Sequence, residues 1–178
     1  MGLIEKNILM DKRFKFGIIG KNISYSFSPK YFEDKFNKLG LNTYKYFNFD
    51  IPEIEEFPFL LYHKEHEFKG LNVTIPYKES IMKYLHEIDN NAKQIGAVNT
   101  IKINEKNELI GYNTDFYGFK ESLAPLLKEH HKKALILGTG GASKAIAFAL
   151  QKLNIECKFV SRKVSKTSYL YSMLTEDI

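Results

Sequence analysis

One cysteine in 178 residues excludes an internal disulfide. Cys157 lies in ECKFV, whose alternation suits a strand, so it reads as a small buried hydrophobe and takes no chemical role. No run approaches the ~18 uninterrupted apolar residues that a membrane-spanning helix needs. The opening MGLIEKNILMDKRFKF lacks an apolar block followed by small residues, so no secretory signal is read and the expected compartment is the cytoplasm. Internal repeats and low-complexity tracts are missing as well. His63 and His66 have the spacing of one helix face, but no second ligand pair matches them, so they read as surface histidines and no metal is expected.

What is present is core material: 44% hydrophobic and 14% aromatic residues, enough for one ordinary domain or two small ones. The formal net charge of +5 favours anionic ligands, whether a carboxylate metabolite, a phosphorylated cofactor or a nucleic acid. The cations are scattered through the predicted helices and not gathered in a tract with interleaved aromatics. Solvated surface is therefore the reading, and no nucleic-acid partner is expected.

The hydrophobic rhythm alternates strand and helix. Phe14 to Ile19 reads as a strand stopped by Gly20, and Pro29 to Leu39 as a helix with Phe32, Phe36 and Leu39 on one buried face. Thr43 to Phe49 is extended, Pro52 to His63 reads as helical, and Gly70 to Thr74 is a short strand before a helix opened by Pro76. Beyond the polar stretch Asp89 to Gln94, Val98 to Asn104 and Leu109 to Asn113 read as a hairpin, which makes the sheet mixed. Phe116 to Leu127 is a helical pattern, and KEHHKK at 128–133 marks a boundary. Ala134 to Leu137 is then an apolar strand leading into a helix with Ala142, Ala145, Ile146, Ala149, Leu150 and Leu153 on its small-residue face; Glu156 to Val160 completes a βαβ unit, and Tyr169 to Leu174 reads as a further helix.

Six places carry chemistry. Gly138-Thr139-Gly140-Gly141-Ala142-Ser143 stands between strand and helix, where glycines admit a pyrophosphate to the helix N-terminus, although Ser143 replaces the third glycine and a plain tight turn competes. About 20 residues on, where an acid would bind a ribose 2′-hydroxyl, Ser161-Arg162-Lys163 stands instead; a guanidinium favours a 2′-phosphate, so NADP is expected over NAD, with plain surface cations as the bland alternative. In Tyr25-Ser26-Phe27-Ser28-Pro29, two hydroxyls gather near a helix start that suits a small carboxylate, though capping alone would account for Ser28. Asn72 to Glu79 places Lys78 in the first turn of a helix, an electrostatically disfavoured position that hints at use, although a solvated side chain there would cost little. Gly96 to Thr100 and Gly111 to Asp115 add amide, hydroxyl and carboxylate groups that would bind a polyhydroxylated ligand or cap backbone.

Taken in order, GIIG…SYSFSP, GLNVTIPYKE, IGAVNT, GYNTDFYGF and GTGGASKA resemble shikimate dehydrogenases from about Lys15 to about Arg162. The resemblance implies an α/β fold: an N-terminal substrate-binding domain with a mixed sheet at 14–115, a connecting helix and linker at 116–131, and an incomplete Rossmann-type NADP-binding domain at 132–178. It implies NADPH-dependent reduction of 3-dehydroshikimate to shikimate, in aromatic amino-acid biosynthesis. Ser26 and Ser28 would bind the substrate carboxylate, and Thr74, Asn99 and Asp115 the ring hydroxyls. Lys78 would be the catalytic acid/base, paired with Asp115. Gly138, Gly140, Gly141, Ala142 and Ser143 match the phosphate loop, and Arg162 the 2′-phosphate arginine. The family's later segments, among them a glutamine-bearing substrate motif, have no counterpart, so a binding-only fragment without turnover is the alternative, and a quinate-using relative a narrower one. The assembly is left open, with a homodimer among the expectations.

Overall fold

A computed structural model describes residues 14–62, 68–162 and 168–175, and the statements below concern these. The segment FKFGIIG forms β1 (Phe14–Gly20), and YKYFNFD forms β2 (Tyr44–Asp50), paired in parallel from Phe14↔Tyr44 to Gly20↔Asp50. Between them, α1 (Ser28–Lys38) lays its aromatic face on the sheet: Phe32 stacks on Tyr46 with ring centroids 4.4 Å apart, and Phe36 meets Phe16 and Tyr44. Leu39, expected on that face, closes the helix and stays 60% exposed.

A 3₁₀ turn at Ile54–Glu56 and the short helix α2 (Phe57–Tyr62) occupy most of the predicted 52–63 helix; His63 and His66 lie outside the described residues. β3 (Phe68–Val73) runs parallel to β1 on the side opposite β2. The helix expected from Pro76 does not form. Turns follow the cis Ile75–Pro76 bond, and Ser80–Tyr84 is a 3₁₀ helix whose bonds close back over three residues, such as Met82 N to Glu79 O.

The polar stretch after β4 (Glu87–Ile88) is a helix, α3 (Asn90–Ile95), and its caps explain it. The Asp89 carboxylate accepts from the amides of Asn91 and Ala92, and Gly96 ends the helix at φ 71°. β5 (Thr100–Ile103) and β6 (Leu109–Tyr112) form the expected hairpin, closed by Asn104 N to Glu108 O at 3.1 Å. The strand order is β2-β1-β3-β5-β6-β4, with β3 and β5 antiparallel, so the sheet is mixed.

A second sheet begins at β7 (Lys133–Leu137). It continues through α5 (Gly141–Lys152) to β8 (Glu156–Ser161) and β9 (Ser168–Leu170), all parallel. The expected helix over Tyr169 to Leu174 is instead this strand and one 3₁₀ turn, because Ser168 to Leu170 pair with Phe159 to Ser161 and the ladder overrides local preference. On α5, Ala145, Ala149 and Leu150 are buried, whereas Ala142 in the first turn is exposed. Cys157 is half-buried on β8, and burial pushes its thiol pKa up, away from nucleophilic use.

Contacts divide the chain into two units, one running through Ile88 and including Thr100–Gly111, the other made of Asp89–Asn99 and Tyr112 onward. This grouping differs from the linear division at 115/116 and 131/132, for a packing reason. Helix α4 (Asp115–Leu123) and the turn after it send Phe119, Leu123 and Leu127 onto Ile136, Leu150 and Ile155. Ile95 and Ala97 likewise pack with Ala145, Phe148 and Phe116. The predicted connector is therefore part of the second core. Among the described residues no helix is long and apolar enough to cross a membrane.

Candidate functional site

In the first unit the ends of β1 and β3 are locked together. Thr74 N donates to Ile19 O at 2.9 Å and Lys21 N to Ile75 O at 3.1 Å. Gly20 fits there because it lacks a side chain: a Cβ would stand 2.7 Å from Thr74 Cγ2 and 2.9 Å from the Ile75 carbonyl oxygen. Thr74 is half-buried at this junction.

Tyr77 follows, 5% exposed, with its hydroxyl donating to Ile51 O at 2.8 Å and its amide to Thr74 O at 2.9 Å. Burial raises its pKa, so the phenol stays protonated and donating. That anchor fixes the backbone from which half-buried Lys78 projects. The electrostatic hint drawn from a helix N-terminus does not apply, since Lys78 lies in a turn.

The serine loop also differs from expectation. Ser28 is the first residue of α1 and provides no side-chain cap, whereas Ser26 Oγ accepts the Ser28 amide at 3.4 Å. The hydroxyl with the backbone task is thus Ser26. Both serines are half-buried between exposed Tyr25 and Phe27.

In the second unit, Asn99 is 8% exposed and its amide is spanned by two neighbours on the other side of the hairpin. Nδ2 donates to Asp115 Oδ1 at 2.7 Å and to Thr114 Oγ1 at 2.9 Å; Oδ1 accepts from the Thr114 amide at 2.8 Å and its hydroxyl at 3.2 Å. Asn113, 4% exposed, donates to Ala97 O at 3.0 Å and accepts from the amides of Asp115 and Phe116. Motifs that looked like interchangeable polar clusters are therefore one network, with Asn113 binding the two segments and capping α4. The sequence pattern leaves ligand binding and backbone capping open for Gly111 to Asp115, and Asn113 takes the capping role; Tyr77 has no role in the sequence pattern.

The strand-turn-helix at 137–141 brings the glycine run to the start of α5. Gly138 adopts φ 124°, its amide donates to Val160 O at 2.8 Å, and a Cβ there would stand 3.2 Å from Ser143 Oγ. Gly140 precedes the helix with nothing within 4 Å of its Cβ position, leaving space over the first turn formed by Gly141, Ala142 and Ser143. Amides of a first helical turn have no intrahelical acceptors and suit an anion. Arg162 is exposed immediately after β8, while Lys163 lies outside the described residues. Among the described residues no group of His, Cys, Asp and Glu is arranged to hold a metal.

Residues 18–101 match the shikimate dehydrogenase substrate binding domain. A Clostridium botulinum shikimate dehydrogenase (NADP(+)) is 45% identical over 153 residues, covering 84% of this chain and 58% of the relative. Shikimate dehydrogenase 1 of Peptoclostridium difficile superposes with a TM-score of 0.76 at 41% identity, over 88% of this chain and 60% of that one. A Thermus thermophilus shikimate 5-dehydrogenase in complex with NADP(H) and shikimate gives 0.73 at 34% identity, over 84% and 56%. The chain thus spans somewhat under two thirds of the length of these relatives.

Proposed function

We propose that this chain, homologous over most of its length to NADP-dependent shikimate dehydrogenases, binds 3-dehydroshikimate or shikimate and NADP and serves the reduction of the ketone to the alcohol. The observation that carries the reading is the match of residues 18–101 to a substrate binding domain, because Ser26, Ser28, Thr74, Lys78 and Asn99 all fall inside it. The Ser26 and Ser28 hydroxyls take the substrate carboxylate, and Thr74, Asn99 and Asp115 take ring hydroxyls. Gly138, Gly140, Gly141, Ala142 and Ser143 take the pyrophosphate, and Arg162 the 2′-phosphate.

The reduced nicotinamide supplies the hydride when bound. As the ketone oxygen gains an electron pair it needs a proton and a nearby positive charge, and the Lys78 ammonium provides both. Asn99, engaged at both ends of its amide, holds the Asp115 carboxylate to one orientation.

Purified residues 1–178 test this by calorimetric titration with shikimate and with NADP, beside shikimate-dependent NADP reduction. Binding of both ligands is expected, and Lys78→Ala should depress turnover by orders of magnitude while changing shikimate affinity little. Binding without turnover would confine the function of this chain to recognition. A folded chain that binds neither ligand overturns the proposal.

A further inference from the structure

The backbone at Asn22 and Ile23 forms a small anion-binding concavity, and the exposed Asp50 carboxylate fills it. Asn22 adopts φ 56°, a left-handed conformation that turns two successive amides toward one point. Asp50, the last residue of β2, sits at that point: Oδ1 accepts from Asn22 N at 2.7 Å and Oδ2 from Ile23 N at 3.0 Å. Two residues earlier on the same strand, Asn48 Nδ2 donates to Ile23 O at 2.9 Å, and that carbonyl also accepts the Ser26 amide at 2.9 Å. Ile23 is itself 1% exposed. The Ile23 peptide groups are therefore held from both sides before the chain reaches Ser26, whose Oγ then receives the Ser28 amide.

Asp50 does not wander, because its own backbone is fixed. It pairs with Gly20 across the β1–β2 ladder, and the next residue, Ile51, donates to Gly20 O at 3.0 Å and accepts the Tyr77 hydroxyl at 2.8 Å. We propose that Asp50 is the positioning residue of the serine loop, its carboxylate holding Asn22 and Ile23 so that Ser26 and Ser28 meet the substrate carboxylate in one conformation. The proposal rests on the reading of those serines as the carboxylate site. In functional terms, one anion stored in the fold shapes the site for another, and an exposed loop is ordered before the ligand arrives.

The test compares residues 1–178 with Asp50→Ala and Asp50→Asn by amide hydrogen exchange without ligand, and by calorimetric titration with shikimate and, separately, NADP. In Asp50→Ala, protection should fall at Asn22, Ile23, Ser26 and Ser28 and persist in the sheet. Shikimate affinity should drop about tenfold or more, the scale of losing charge-assisted hydrogen bonds that pre-order a loop, with NADP affinity unchanged. Asp50→Asn keeps one acceptor oxygen and should fall between. Unchanged loop protection in Asp50→Ala overturns the proposal, as does a uniform loss of protection across the sheet in both variants. If the unsubstituted chain fails to bind shikimate, the carboxylate reading of Ser26 and Ser28 falls, and the ligand-free exchange alone decides whether Asp50 holds the loop.

Discussion

Asn99 Nδ2 lies 2.7 Å from Asp115 Oδ1, and Thr114 takes up the rest of the Asn99 amide. A half-buried carboxylate that accepts an amide hydrogen bond has one orientation, which is what a group that recognises a hydroxyl needs. Asn99→Ala removes the acceptor of the Thr114 amide and one donor to the Asp115 carboxylate, so unfolding stability should fall by about 1–3 kcal/mol in denaturant titrations. Asn99→Asp is the sharper experiment. It sets a second carboxylate beside Asp115, and like charges raise the pKa of the pair in the folded state. The sign then follows: the protonated form is the better tolerated one, so the loss of stability should be large near neutral pH and shrink as pH falls through the carboxylate range, about 4 and upward. A pH-independent loss would contradict the proximity.

The junction of β1 and β3 predicts a dependence on Gly20. Gly20→Ala forces a methyl against Thr74 Cγ2, Ile23 Cγ2 and the Ile75 carbonyl, and overpacking of this kind costs about 1–3 kcal/mol. Thr74→Ser removes one of those three contacts. The double variant should therefore lose less than the sum of the single ones, a coupling readable from a double-mutant cycle by denaturant unfolding. Simple additivity would mean that the two residues do not share the space.

The glycine turn before α5 and the arginine after β8 separate two effects that are easily confused. Gly138→Ala places a side chain at φ 124°, a conformation that costs on the order of 1–3 kcal/mol, and should weaken NADP and NAD binding alike. Arg162→Ala leaves the turn intact and should weaken NADP binding about tenfold or more while leaving NAD binding little changed, because only NADP carries the 2′-phosphate. Equal losses for both cofactors in Arg162→Ala would remove the arginine from that role.

How much of this was legible in the sequence depended on the range of the interaction. Strands β1, β3, β7 and β8 and helices α1, α4 and α5 carry their own periodicity and glycine stops, and they stand where the pattern put them within a residue or two at most ends. Helix α3 announced itself only through Asp89 and Gly96, caps on a segment too short and polar to show a stripe. The pattern over Tyr169 to Leu174 predicts a helix, and strand β9 takes its start instead because the pairing with β8 is a tertiary fact. The site divides in the same way. The motif residues were visible as types, but Ser26 replacing Ser28 in the backbone role, and Asn113 stitching two segments, depend on which groups meet across the fold. Asp50 belonged to no motif at all.

Tyr77 supplies the last prediction, because its hydroxyl joins the turn that carries Lys78 to the Ile51 carbonyl beside Asp50. Tyr77→Phe preserves the ring and removes one donor, leaving a buried carbonyl unpartnered, at a cost of about 1–3 kcal/mol. The same residue should shape the alkaline limb of stability. Burial raises its folded pKa above the ordinary value of 10.0, so its contribution is fully present below that pH and is lost as pH rises through the folded value. Tyr46 is raised by burial as well, so Tyr77→Phe should soften the alkaline loss without abolishing it. Denaturant midpoints of both proteins at about pH 7 and about pH 10.5 make the comparison. The gap between them should narrow at the higher pH; a constant gap would mean that the Tyr77 phenol titrates as freely in the folded chain as in the unfolded one.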